Sequence, residues 1–177
     1  MPSVSDFQST YLFDPHLADV RSNLTGGRMV VLSSEAMRSL QEGLYKKFST
    51  GASVIILEMG VSYGSMLFNE IEKQSKATPE SEAVSLRLLT QNLFKEGFGK
   101  IAFTGDLESG QALQVLVTNC AFCTKSVSEN KCNFLRGVII SMTTRLFSKQ
   151  FKSNVVCSIS QSAEHICKIE LVAVKQI

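Results

Sequence analysis

The sequence predicts an α+β domain in which a helical layer packs against an antiparallel β-sheet. Two observations carry this. Three segments with helical spacing of apolar residues occupy the first hundred positions, and two pairs of strand-like segments follow, with one more helical segment between them. At 177 residues the chain is one domain, or one domain with a short extension, and is long enough to bury a core without covalent staples. Residues 1–28 are read as an N-terminal arm or hairpin and 29–177 as the domain.

In the arm, "STYLF", Asp14-Pro15, the turn "NLTGGR" and "MVVL" alternate extended segments with breakers. The first helix, "SSEAMRSLQEGLYKKF", opens with Ser33 or Ser34 as N-cap, and its Met37, Leu40, Leu44 and Phe48 make one apolar face. The second runs from Ala52 to Lys73. Ile55, Met59, Ser62 and Met66 follow one helical stripe, and Gly60 and Gly64 lie four apart on a neighbouring one. Each mid-helix glycine costs up to ~1 kcal/mol against alanine, which points to close helix–helix packing or to a ligand lying on bare backbone. Packing is the favoured reading. Glu58, one turn before Ser62, is read as a solvated edge position.

The third helix has Thr78 as N-cap, Pro79 as its first residue and Gly97 or Gly99 as its stop. "KIAFTGD" and "QALQVLVTN", joined by "LESG", read as a hairpin. A fourth helix then turns Phe134, Val138, Met142, Leu146 and Phe147 inward, and "SNVVCSIS" with "HICKIELVAV" form the last hairpin.

Composition excludes several classes. Net charge is only +2, which argues against a direct nucleic-acid partner. Basic residues do gather late in the chain, at Arg136, Arg145, Lys149 and Lys152, without interleaved aromatics, and they read as a solvated helix face. Uninterrupted apolar runs such as "ASVIIL" fall far short of the ~20 residues of a membrane span, so none is expected. The N-terminus lacks the features of a secretory signal, so the expected location is cytoplasmic, where thiols stay reduced. No nucleotide-binding, redox-cofactor or hydrolase motif is present, and no carboxylate pair stands out. His16 and His165 have no motif around them.

The five cysteines are the chemically pointed residues, three of them inside "NCAFCTKSVSENKC". Cys120 and Cys123 end a strand and enter a loop, an unsuitable place for a thioredoxin-type pair. Cys132 starts a helix, where the dipole favours thiolate, and Cys157 and Cys167 lie on paired strands. Two readings stay open: small buried hydrophobes, or a zinc site of Cys132, Cys157 and Cys167 with Cys123 or Cys120 as fourth ligand.

Several segments together resemble a known family. "GASVIILEMGVSYGSML", "LLTQNLFKEGFGKIAF", the helix-opening cysteine of "KCNFLRGVI", then "VVC" and "CKIEL" are similar in order and spacing to the vinyl-4-reductase, or hydrocarbon-binding, domain. That domain belongs to the ligand-binding superfamily shared with haem NO-binding domains and TRAPP vesicle-tethering subunits. The resemblance runs from about Met29 to Val174. It implies a dimerising module that holds a small apolar ligand between helices and sheet. In sensor members it also implies zinc held by a helix-opening cysteine, a glutamate on the next strand and two cysteines of the last hairpin.

By position Cys132 and Cys167 match two of those ligands, the glutamate falls on or beside Cys157, and the remaining cysteine falls near Ser160. The acylated cysteine of TRAPP-type members has no counterpart, since none precedes Cys120. The expected ligand lining is Tyr63, Met66, Phe94, Phe98, Phe103, Phe122 and Phe134, and the expected metal set is Cys123, Cys132, Cys157 and Cys167. The resulting expectation is a non-catalytic binding or sensor module, homodimeric and acting through a protein partner. The alternatives are a TRAPP-like scaffold without ligand and an accessory factor in tetrapyrrole reduction.

Overall fold

A computed structural model describes residues 33–75, 82–122, 132–159 and 165–174, together with the backbone of 11–14, 19–22 and 28–29. The arm segments β1 (Tyr11–Asp14), β2 (Asp19–Ser22) and β3 (Arg28–Met29) pair as a three-stranded antiparallel sheet. Three helices follow, α1 (Ser34–Phe48), α2 (Gly51–Ser75) and α3 (Glu82–Lys95), then the hairpin β4 (Lys100–Gly105) and β5 (Ala112–Thr118). Helix α4 (Asn133–Phe147) leads into the last hairpin, β6 (Phe151–Ile159) and β7 (His165–Ala173). The expected α+β order is met, and the two hairpins join into one antiparallel sheet of order β4-β5-β7-β6.

Register explains which face of that sheet is the core. Val117 stands opposite Cys167, Val115 opposite Ile169 and Leu113 opposite Leu171, all six buried, while their neighbours along β5 point to solvent. On the outer face Lys168 and Glu170 pair at 2.9 Å.

Helix α4 lies deepest. Phe134, Leu135, Val138, Ile139 and Met142 are all buried, and Leu146 and Phe147 pack half-buried against the same core. Helix α2 is laid directly on it. A Cβ at Gly64 would sit 2.5 Å from the carbonyl oxygen of Val138, and one at Gly60 would strike the carbonyl of Phe134. Gly137 of α4 returns the contact against Leu57 and Val61. The glycines therefore serve helix packing, and they share a buried stripe with Ala52, Ile56, Leu67 and Ile71. Arg145 of α4 locks the pair by donating to the Ser65 carbonyl at 3.1 Å and lying 4.8 Å over the Phe68 ring.

Helix α1 begins as expected, with Ser33 Oγ accepting from the Ala36 amide at 3.1 Å. None of its residues is buried, and Leu40 and Phe48 of its apolar face are exposed. Met37, Leu44 and Tyr45 pack half-buried against the core, and hydrogen bonds add to their hold: Arg38 to the Ala121 carbonyl at 3.2 Å, and Asn133 of α4 to the Tyr45 hydroxyl at 2.8 Å. The N-cap at Thr78 and Pro79 lies outside the described residues.

Residues 51–73 of α2 are, by length and composition alone, long and apolar enough to cross a membrane. Core helices of proteins that span no membrane pass the same test, and this helix lays its glycine stripe on α4.

Candidate functional site: a thiol cluster and an apolar groove

The β5 end, the α4 start and the β6–β7 pair converge on four sulfurs. Cys132 Sγ stands 3.0 Å from Cys167 Sγ, 3.4 Å from Cys120 Sγ and 3.5 Å from Cys157 Sγ. The pairing of β6 with β7 sets Cys157 directly opposite Cys167. Cys120, Cys132 and Cys167 are buried, and Cys157 is half-buried on the edge strand.

Cys132 is the pivot, and its backbone is unusual. It occupies the N-cap position of α4 with φ 41° and ψ 40°, and its side chain caps no helix amide. The left-handed conformation costs a non-glycine residue roughly 1–2 kcal/mol, so its presence asks for a compensating contact. That conformation sends the thiol toward the other three sulfurs.

The donor set fits a metal ion. Sulfurs at ~2.3 Å from a tetrahedral zinc stand ~3.8 Å apart, close to the separations of Cys132 Sγ from its three neighbours. The separations are also well beyond the ~2.05 Å of a disulfide bond. Three of the sulfurs, those of Cys120, Cys132 and Cys167, lie within 4.8 Å of one another. Cys123 lies outside the described residues.

Two residues along the chain from Cys120 and Cys132 are Phe122 and Phe134, which open the second part of the site. Their ring centroids are 5.0 Å apart. Phe98, at the turn after α3, contacts Phe122 at 5.2 Å and Phe134 at 6.2 Å. Tyr63 of α2 stacks on Phe98 with centroids 5.7 Å apart and planes 20° from parallel. Four elements thus contribute one ring each, at distances where aromatic pairs gain beyond area burial.

An open groove of about 780 Å³ runs over this cluster along α2. Val54, Ile55, Met59 and Met66 form its apolar wall, Tyr63 and Phe134 its floor, and Glu58 and Ser62 its polar positions. Met59 is 49% exposed and Met66 45%, high values for methionines on a helix central to a fold. The sequence stripe of Ile55, Met59, Ser62 and Met66 is this groove face, and the glycine stripe beside it is the packed one.

Below the floor, the Tyr63 hydroxyl donates to Glu96 Oε2 at 2.6 Å. Burial pushes the Glu96 carboxyl above the usual glutamate range, and the tyrosine hydrogen bond offsets part of that rise. Nothing in the spacing of the sequence singles out Glu96, because its partner is 33 residues away on another helix.

Of the expected ligand lining, Tyr63, Phe98, Phe122 and Phe134 meet in one cluster and Met66 lines the groove above it. Phe103 is half-buried against the core from β4, and Phe94 is 48% exposed on α3. Neither makes a ring contact with the cluster among the described residues. The late basic residues do not gather into an anion patch. Arg136 donates to the Ser153 hydroxyl and carbonyl, Arg145 holds α2, and Lys149 donates to the Ser109 carbonyl.

No protein-family model and no curated protein matches the sequence. Solved structures do match in fold. The phenol-responsive sensory domain of the transcription activator PoxR, solved with phenol, aligns with a TM-score of 0.70 at 14% identity, covering 95% of this chain and 87% of that one. A trafficking protein particle complex subunit 3 from Naegleria fowleri, covalently bound to palmitic acid, aligns at 0.51 and 11% identity over 81% of this chain and 95% of that one. A vinyl-4-reductase family protein from Methanocaldococcus jannaschii aligns at 0.47 and 18% identity, over 80% and 92% respectively. The fold is therefore the one that the sequence resemblance implied, shared with a sensory domain and a TRAPP subunit.

Proposed function

We propose that this domain is a non-catalytic binding module for a small apolar molecule, seated in the groove over Tyr63, Met66 and Phe134. One observation carries the reading: an open, almost wholly apolar groove of about 780 Å³ lies on an aromatic floor beside the deepest helix pair. Its lining is that of small-molecule sites, which combine apolar walls with a few polar groups. The fold likeness to a domain solved with phenol supports it.

A structural zinc ion belongs to the same reading, held by Cys132, Cys157 and Cys167 with a fourth thiolate from the Cys120–Cys123 stretch. Bound there, zinc supplies cross-linking of sheet and helix without redox chemistry. Thiolate ligation calls for a reducing compartment, consistent with the cytoplasm. The module is homodimeric and passes its signal to a protein partner. The exposed Leu40 and Phe48 on α1, a helix none of whose residues is fully buried, support a protein contact on that side.

Native mass spectrometry of the purified full chain tests the ligand. A retained apolar molecule, lost in Met59→Glu and Met66→Glu, is the expected result. A chain that carries no such molecule and does not bind an apolar fluorescent dye in the groove overturns the reading and leaves the scaffold alternative.

A further inference from the structure

We propose that Cys120 is the fourth metal ligand, so that an ion at this cluster is bound by sulfur alone. The proposal rests on the metal reading above and says which residue completes it. The set differs from the pattern of the resembling sensor domains, in which one ligand is a glutamate and two cysteines come from the last hairpin. By the resemblance the glutamate position falls here on or beside Cys157, and the second hairpin position falls on or near Ser160, where this sequence has no cysteine.

Cys120 is placed for this by its own surroundings. Its sulfur is 3.4 Å from Cys132 Sγ and falls in the same group as Cys167 Sγ. The side chain is only 3% exposed. Its neighbours fix the segment from both sides: Asn119 turns the chain after β5 with φ 55°, the Ala121 amide donates to the Phe98 carbonyl at 3.4 Å, and Arg38 donates to the Ala121 carbonyl at 3.2 Å. A buried thiol held this firmly beside those of Cys132 and Cys167 is pre-organised for ligation, which lowers the entropy lost on binding an ion. Soft thiolates alone select thiophilic ions such as zinc over oxygen-seeking magnesium or calcium.

The site would then draw one ligand from each of four places: the end of β5, the start of α4, β6 and β7. Cys120 and Cys132 sit two residues before Phe122 and Phe134, so the same ion would hold the backbone on which two of the four clustered rings are mounted.

Cobalt(II), a coloured substitute for zinc, tests the assignment on the full chain purified under reducing conditions. Its near-ultraviolet thiolate charge-transfer band grows with the number of sulfurs bound. The expected result is a tetrahedral spectrum in the wild type, a band weakened by about a quarter in Cys120→Ser, and no change in Cys123→Ser. Zinc competition should show Cys120→Ser weakened by at least about tenfold, the least that supporting residues outside the ligand shell cost. Cys120→His, which keeps a ligand at the position, restores affinity with a shifted spectrum, and that separates lost ligation from a damaged fold. A weakened band in Cys123→Ser with Cys120→Ser unchanged overturns the assignment while leaving the metal reading intact. No cobalt spectrum in the wild type overturns both.

Discussion

The Tyr63 hydroxyl and the Glu96 carboxylate meet at 2.6 Å, joining the long helix α2 to the end of α3 beneath the aromatic cluster. Burial raises the folded-state pKa of Glu96 above its ordinary 4.5, so between those two values the native state holds a proton that the unfolded chain has lost. Stability from this group is full below the unfolded value and falls as pH rises through the folded one. Urea unfolding should therefore show a midpoint that drops on going from pH 5 to pH 7. Glu96→Gln, which keeps an acceptor for Tyr63 but cannot ionise, should flatten that drop, and an unchanged pH dependence would remove Glu96 as its source.

The glycine contact between α2 and α4 should be intolerant of a single methyl group. Gly60→Ala and Gly64→Ala drive a Cβ into the α4 backbone, which cannot yield as a flexible side chain would. Loss of several kcal/mol, or failure to fold, is the expected outcome, in the range of severe overpacking. Gly43→Ala on α1 meets no atom within 4 Å and should instead stabilise by about 0.5–1 kcal/mol through helix propensity. Chemical denaturation of the three variants checks both directions at once.

Metal removal should lower thermal stability, because an ion that binds only the folded cluster adds its binding energy to folding. Dialysis against a chelator under reducing conditions should bring the melting temperature down, and zinc should restore it. Cys132→Ser, at the centre of the three sulfur contacts found among the described residues, should abolish the zinc response. Cys157→Ser, on the half-buried edge strand, should weaken it less. An equal zinc response in Cys132→Ser and wild type would contradict this.

Groove substitutions should separate binding from folding. Met59 and Met66 are exposed, so a glutamate at either costs little stability, within about 0.5 kcal/mol for a surface change. It places charge where an apolar ligand must lie and should cut affinity by at least about tenfold, since desolvating an unpaired carboxylate costs more than 1.4 kcal/mol. Titration with an apolar fluorescent dye reads this directly. Phe134→Ala should damage both properties, being buried in the core as well as present in the groove floor.

The fold was largely legible because its signals are local. Apolar spacing and breakers placed the helices and hairpins, and the Gly60–Gly64 spacing announced a close helix contact that Gly137 completes. Strand order was not legible, since joining the hairpins through β5 and β7 depends on pairing far apart in sequence. For the site, Cys132, Cys157 and Cys167 could be grouped because a helix start and a predicted strand pair already brought them near each other. That Cys120 meets them was not legible, since its sulfur reaches 3.4 Å from Cys132 Sγ only through the turn at Asn119 after β5. The Tyr63–Glu96 bond was invisible for the same reason: a tertiary contact leaves no periodic trace.

Helix α1 buries none of its residues and is fastened through Arg38, Tyr45 and Asn133. A fifteen-residue helix is marginal by itself in water, so these few bonds and its half-buried side chains set its local free energy of opening. In hydrogen–deuterium exchange α1 should therefore surrender its amides by local opening, well before α4, whose amides should wait for global unfolding. Anything that docked on Leu40 and Phe48 would slow exchange along α1 first, making that helix a reporter of assembly separate from the groove.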